Sequence, residues 1–446
     1  MKKYDIAVIG SGPGGFAAAV RAAQLGAKVA LVEKSFVGGT CLNCGCVPTK
    51  FLWQALNTKR KIRKSFEYGF GFPEGTFSFA GLIAKKDKNI ANMRKGMEMI
   101  LSSYCVDTVS GGAFFKDAHT LEVNGENGRK KEISAEKIII AAGSRPSAVK
   151  GLDFDGKKVI GSAEALDLTQ APSSLLIIGG GAIGVEMASI FAGFGSRVTI
   201  AEYCESLLPG EDFEISGEIQ KNMLRQGIEV LTGCTNAPDM AGGFEKVILA
   251  AGRIPSSGLN IECVSLETDQ KGFIKTDRYC ATNIGNIYAV GDIAGKNMLA
   301  YTAQAEGAAA AENAVKGNKV KADNEIVPAA VFSNPPAASV KIKDFDEENA
   351  VFGKFPFTAS ARAFLEGERS GFVKCAADKI TKKPLGFWIV GPHADELINT
   401  ASVILKSGTG CMRRESVFHP SLSESLLNAY EDAFGMCTEI MKRKPL

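Results

Sequence analysis

The chain has 446 residues, more than one hydrophobic core supports, so two to four domains are expected. Its 45% hydrophobic and 23% charged residues are ordinary for a globular protein, and 52 basic against 49 acidic residues leave a net charge of +3. That balance excludes a surface organised around nucleic acid or an anionic membrane, and eleven cysteines in so long a chain exclude a secreted disulfide framework.

The first residues, MKKYDIAVIG, carry too short an apolar run for a secretion signal. No stretch of about 18 apolar residues follows that would span a membrane, so a cytoplasmic location with mostly reduced thiols is expected. An apolar strand at Ile6–Ile9 leads into Gly10-x-Gly12-x-x-Gly15, an Ala-rich helix, and a second strand ending at Glu33. This is the order of a dinucleotide-binding βαβ unit. Gly10 makes the tight turn, Gly12 lets backbone approach a pyrophosphate, and Gly15 lets helix and strand pack closely. The helix N-terminus favours the anion, and Glu33 can accept from an adenosine ribose.

Next comes GGTCLNCGCVPTK (38–50), with Cys41, Cys44 and Cys46 open to three pairings. A zinc site is not expected, because no second Cys/His cluster accompanies it and the chain has three histidines. The basic run KRKIRK (59–64) reads as the solvated face of a helix. The βαβ pattern then repeats with Gly179, Gly181 and Gly184 and a second terminal acid, Glu202. Two such units call for two dinucleotides. Glu202 has no Arg or Lys cluster after it and would repel a 2′-phosphate, so the second should be NAD rather than NADP. Two dinucleotides beside adjacent thiols suggest electrons passing between a nicotinamide, a flavin and a disulfide.

These residues resemble the class I pyridine nucleotide–disulfide oxidoreductase family. The resemblance rests on GGTCLNCGCVPTK, both glycine fingerprints, IIIAAGSRP (138–146), VILAAGRIP (247–255) and IYAVGDIAG (287–295). It continues through PAAVFSNPPAASV (328–340), GPHADELI (391–398) and FHPSLSES (418–425). Within the family, CLN, Gly184 and Glu202 are most like dihydrolipoamide dehydrogenase. The resemblance implies FAD and NAD as cofactors and Cys41–Cys46 as the redox disulfide, with Cys41 facing substrate and Cys46 the flavin. Pro48 suits a first helical turn, which would set Cys46 at a helix N-terminus where the dipole favours a thiolate. Cys44 is then a small buried filler. His419 becomes the base, oriented by Glu424, and reaches the partner subunit's disulfide in an obligate homodimer.

The resemblance also assigns cofactor contacts to Gly39, Thr40, Lys50, Ala113, Ser144, Gly252, Gly291, Asp292 and Ala300. It pairs Lys50 with Glu186 and sets Asp292 against the ribityl chain. His393 is expected to be structural. No metal is implied. Three features depart from the pattern: Val417 replaces the first histidine of HxHP, LAYTA (299–303) replaces LAHKA, and the link 231–246 is shorter than the usual β-meander.

The expected fold class is α/β: two Rossmann-like dinucleotide-binding domains plus a C-terminal α+β dimerisation domain. The boundaries are an FAD domain at 1–148 and 265–325, a shortened NAD domain at 149–264, and the dimerisation domain at 326–446. The expected reaction is oxidation of dihydrolipoamide through Cys41–Cys46 and FAD to NAD⁺. Its dithiol would be carried by a lipoyl-bearing protein of a 2-oxo acid dehydrogenase or glycine cleavage complex. Two other readings stay open: an NAD(P)H-dependent reductase of another low-molecular-weight disulfide, and a non-catalytic flavoprotein subunit of a larger complex.

Overall fold

The strand Lys2–Ile9 explains why the first half of the chain forms layers. Its side chains alternate: Ala7 and Ile9 enter one buried apolar cluster, while Ile6 and Val8 enter another. A strand apolar on both faces must be covered on both, which is the demand of a parallel sheet between helices. The computed structural model, which describes residues 2–71, 76–125, 128–322, 325–408 and 412–441, meets that demand.

By internal contacts the chain divides into two units. The first comprises Met1–Val149, Ile160–Gln170 and Ala251–Asn324. Its sheet runs Asp107–Ser110, Val29–Glu33, Lys2–Ile9 and Lys130–Ile140, all parallel, with Ile287–Ala289 on the far end of the last strand. The strands Thr120–Asn124 and Gly112–Asp117 add antiparallel to the near end of Lys130–Ile140. Strand order reverses beside Lys2–Ile9, so the loop after Ile9 opens at a switch point, where such sheets bind ligands. Each fully buried Ile, Leu or Val here contributes about 1.5–3 kcal/mol. The helices Pro13–Gln24 and Ala300–Lys316 pack closely because Gly307 lacks a side chain: a Cβ there would lie 2.1 Å from Gly14 O.

Residues 160–170 and 251–264 lie inside the sequence limits of the NAD domain but group with this first unit. A buried lysine accounts for the first of these. Lys86, 1% exposed on the helix Phe79–Ser103, donates to Leu166 O at 2.7 Å and Asp167 Oδ1 at 2.6 Å. An ammonium removed from water needs such partners, so it fixes the short helix Ser162–Leu166 in place.

The second unit comprises Lys150–Val159, Ala171–Ala250 and Glu325–Leu446. Glu229–Leu231, Arg197–Ala201, Ser174–Ile178 and Lys246–Leu249 pair in parallel in that order. Between Leu231 and Lys246 lies a 3₁₀ turn, Ala237–Gly243, and no strand, so the meander is absent and the sheet stays short. A second, antiparallel sheet follows: Ala329–Val331, Ala337–Lys341, Pro384–Val390, Phe372–Asp378 and Ala350–Pro356. The helices Ala394–Ser407 and Glu424–Ala433 bury Leu397, Ile398, Leu426 and Leu427 in its core.

Within this unit, the helix Phe213–Arg225 starts at Asp212, whose Oδ1 accepts from Glu214 N at 3.0 Å. Lys374 of the antiparallel sheet reaches Asp212 at 2.8 Å and Glu214 at 2.9 Å. Burial works against its charge, but the two carboxylates prevail and raise its pKa. No helix among the described residues is long and apolar enough to cross a membrane.

Candidate active site

Both glycine loops have the geometry of a phosphate cradle. Gly12 caps the helix Pro13–Gln24 without a side-chain hydrogen bond, so the first amides point outward. A Cβ on Gly15 would lie 1.8 Å from Gly10 O, and one on Gly184 would lie 1.9 Å from Gly179 O. Backbone cannot yield to that contact, whereas Cβ positions on Gly12 and Gly181 meet nothing within 4 Å. Each loop is therefore closed towards its strand and open towards a ligand.

The terminal acids repeat the same local bonds. Glu33 Oε2 accepts from Ser11 N at 2.9 Å and Ser11 Oγ at 2.7 Å, and Oε1 accepts from Ser35 N at 2.9 Å. Glu202 accepts from Gly180 N and, at 2.7 Å, from Cys204 N. In both units an amide inside Gly-x-Gly and one two residues beyond the acid hold the carboxylate. Spare lone pairs remain for ribose hydroxyls.

The redox segment grows directly from the first cradle. Gly38 N donates to Ser11 Oγ at 3.2 Å. Gly39, at φ +57°, is so close that a Cβ would lie 2.7 Å from Gly12 Cα. Thr40 follows within the helix Gly39–Cys44, and after Gly45 the helix Cys46–Lys64 begins. Cys46 is thus the first residue of that helix, as Pro48 predicts, and the dipole favours negative charge on its sulfur.

The thiols of Cys41 and Cys46 are hydrogen-bonding partners. The hydrogen bond between the two thiols, with burial next, pushes the Cys41 pKa strongly up while nearby Lys50 opposes. In the single chain Cys46 is exposed and Cys41 half-buried. Cys44 is half-buried rather than enclosed, because it ends a short helix. Burial and then Asp167 raise its pKa, against Arg253, so it stays a thiol near neutrality.

Arg94 clamps this segment. Its Nε and Nη2 donate to Asn43 Oδ1 at 3.0 and 2.7 Å, and its guanidinium lies 3.8 Å above the Phe36 ring. Asn43 Nδ2 in turn donates to Gly39 O at 2.9 Å.

Asp292 belongs to a second cluster in the same unit. Ser144 Oγ donates to Asp292 Oδ2, and Arg253 donates to Ser144 Oγ at 2.7 Å and to Ser144 O at 2.8 Å. Gly291 N donates to the buried Glu306 at 2.7 Å. Gly252, at φ +117°, turns the chain beside Arg253, and Ala300 opens the helix packed on Pro13–Gln24. The Ala113 side chain is part of the sheet core. In the second unit, the buried Glu186 accepts from Phe332 N at 3.1 Å.

His419 stands in the second unit with its side chain 70% exposed, Nδ1 2.9 Å from Glu424 Oε1. A carboxylate only accepts, so in the neutral ring the Nδ1 proton donates to it and Nε2 is left as the acceptor. Ser421 N fixes the other Glu424 oxygen at 2.8 Å. His393 heads the helix Ala394–Ser407 in a left-handed conformation, 3.5 Å from Glu366. The sequence reading passed over Ser11, Arg94 and Arg253. Only Ser11 carried a local signal, a hydroxyl inside Gly-x-Gly.

Comparison with known proteins agrees with this geometry. Residues 4–307 match the model of the pyridine nucleotide-disulphide oxidoreductase family, and residues 327–430 match that family's dimerisation domain. A dihydrolipoyl dehydrogenase of Bacillus subtilis is 34% identical, over 97% of this chain and 98% of its own. One from Thermus scotoductus is 37% identical, over 99% and 100%.

Among solved structures, the HOCl-induced flavoprotein disulfide reductase RclA of Escherichia coli superposes with a TM-score of 0.85 at 28% identity. It covers 97% of this chain and 99% of its own. LpdA of Mycobacterium tuberculosis, at 23% identity and a TM-score of 0.86 over 97% and 99%, shares the fold. Family members use FAD and NAD(H), and the two open glycine loops, each with an acid held at its side, fit those cofactors. The chain belongs to the pyridine nucleotide-disulphide oxidoreductase family and is an FAD-dependent disulfide oxidoreductase.

Proposed function

We propose that this enzyme oxidises dihydrolipoamide to lipoamide and delivers the two electrons to NAD⁺, working as a homodimer. The observation that carries the reading is the Cys41–Cys46 pair, its thiols hydrogen-bonded and Cys46 at a helix N-terminus beside the first cradle. The full-length similarity to dihydrolipoyl dehydrogenases supports the substrate, and Glu202, held by two amides, supports NAD over NADP. A lipoyl-bearing protein is the physiological dithiol donor in this reading.

Nε2 of His419 of the partner subunit takes a proton from one substrate thiol, and Glu424 stabilises the imidazolium that results. The thiolate attacks Cys41 Sγ, forming a substrate–Cys41 bond and breaking Cys41–Cys46, so that Cys46 leaves as a thiolate. The second substrate thiol attacks the mixed disulfide, closes the cyclic disulfide and frees Cys41. FAD held at the Gly10–Gly15 loop would supply the two-electron link between the reduced Cys41 and Cys46 thiols and NAD⁺. The sum is dithiol plus NAD⁺ giving disulfide, NADH and a proton. Asp292, with Ser144 and Arg253, would orient the ribityl chain.

The test compares turnover of dihydrolipoamide with NAD⁺ against NAD(P)H-driven reduction of other small disulfides. Faster turnover of the first pair is expected. Turnover only in the reducing direction, with another disulfide, would replace the reading with that of a reductase. No catalysis in either direction would favour a non-catalytic flavoprotein subunit.

Cys44→Ser checks the roles within the cysteine segment. Serine matches the size of a half-buried thiol, and dithiol-driven turnover is expected to stay within about twofold of wild type. A loss of tenfold or more would place Cys44 in the electron path.

A further inference from the structure

We propose that Arg414 and Glu439 are positioning residues for His419, a role that rests on His419 acting as the base. The helix Glu424–Ala433 presents Glu424, Asn428 and Glu431 at spacings of four and three, hence on one face. His419 is tied to the first of these. Arg414, five residues before His419, is tied to the other two. Its Nη2 donates to Asn428 Oδ1 at 2.8 Å and to Glu431 Oε2 at 2.5 Å. The strap between them is seated on the same helix at both ends.

Glu439 closes the clamp from the other side. Past the helix the chain folds back, packing Cys437 and Ile440 on the same core. Glu439 Oε1 accepts from Arg414 Nη1 at 3.1 Å, and Oε2 accepts from Asn428 Nδ2 at 3.0 Å. Asn428 is buried, so its amide offers a fixed frame rather than a mobile surface partner.

Between the anchors, Val417 packs against the core while Phe418 points out, 77% exposed. Val417 replaces the first histidine of the HxHP pattern, and an apolar side chain cannot tether the strap by a hydrogen bond. Orientation of His419 then depends on Glu424 ahead and on Arg414 behind. An exposed imidazole has no packing of its own, and small misplacement of a base is costly to rate.

The test uses holoenzyme variants and two readouts. One is the limiting rate of flavin reduction by dihydrolipoamide, which needs the base. The other is NADH-driven reduction of ferricyanide, which does not. Arg414→Met is expected to lower the limiting dithiol rate about tenfold, and Glu439→Gln about threefold. Half-saturating dihydrolipoamide and the ferricyanide activity should stay within about twofold. Arg414→Lys keeps the charge but not the fork and should fall between wild type and Arg414→Met.

Unchanged dithiol rates in both Arg414→Met and Glu439→Gln, while His419→Gln abolishes the step, would overturn the positioning role alone. A His419→Gln enzyme that keeps the step would instead overturn the base. Equal losses in both readouts would make the clamp purely structural and overturn the inference. If Arg414→Met does not fold, the half-exposed Glu439 carries the same test through Glu439→Gln.

Discussion

A Cys46→Ser holoenzyme is expected to lose dithiol-driven turnover by about a thousandfold or more while its flavin is still reduced by NADH. Cys46 is the hydrogen-bonding partner of Cys41 and the first residue of its helix, where the dipole favours a thiolate. Serine keeps the size but neither ionises near neutrality nor forms a disulfide. Cys41→Ser should abolish turnover equally, because no Cys41–Cys46 disulfide could form for substrate to attack. Flavin absorbance and anaerobic NADH titration separate this loss from loss of cofactor. Turnover of Cys46→Ser within tenfold of wild type would remove the pair from the mechanism.

The second large effect comes from the glycine loops, and it should differ between them. Gly184→Val is expected to leave flavin bound but weaken NAD⁺ by about tenfold to a hundredfold, the cost of about 1–3 kcal/mol of overpacking. The branched side chain would start 1.9 Å from Gly179 O, and relief would require the loop to move off its strand. Gly15→Val applies the same insult beside Gly10 O, at 1.8 Å, and is expected to yield protein largely without flavin. Calorimetric NAD⁺ binding and the flavin-to-protein absorbance ratio report the two effects. Full NAD⁺ affinity in Gly184→Val would mean that the second loop does not hold the nucleotide.

What the sequence made legible follows from how locally each feature is specified. Gly15 and Gly184 could be read because backbone approach tolerates no other residue there, and the acids because each closes its own βαβ unit. Pro48 placed the start of the Cys46 helix for the same local reason. The short link at 231–246 was visible by length alone, and it folds as a 3₁₀ turn without a meander.

Long-range partners were not legible. Arg94 and Lys86 sit on a helix whose charges look like a solvated face, yet one holds Asn43 and the other is buried against Leu166 and Asp167. Arg253, Ser144 and Asp292 meet across more than a hundred residues, and no spacing rule connects them. Cys44, read as a buried filler, is half-buried because its helix ends beside it. Burial, then Asp167, raises its pKa, which favours the thiol without full enclosure.

The most direct measurement is anaerobic rapid mixing of the holoenzyme with dihydrolipoamide, followed by NAD⁺, with flavin absorbance and NADH recorded together. Flavin reduction within milliseconds to seconds, then one NADH formed per dithiol oxidised, is the expected result. Flavin that stays oxidised with dihydrolipoamide but is reduced by NAD(P)H, with electrons passing on to another small disulfide, would contradict it.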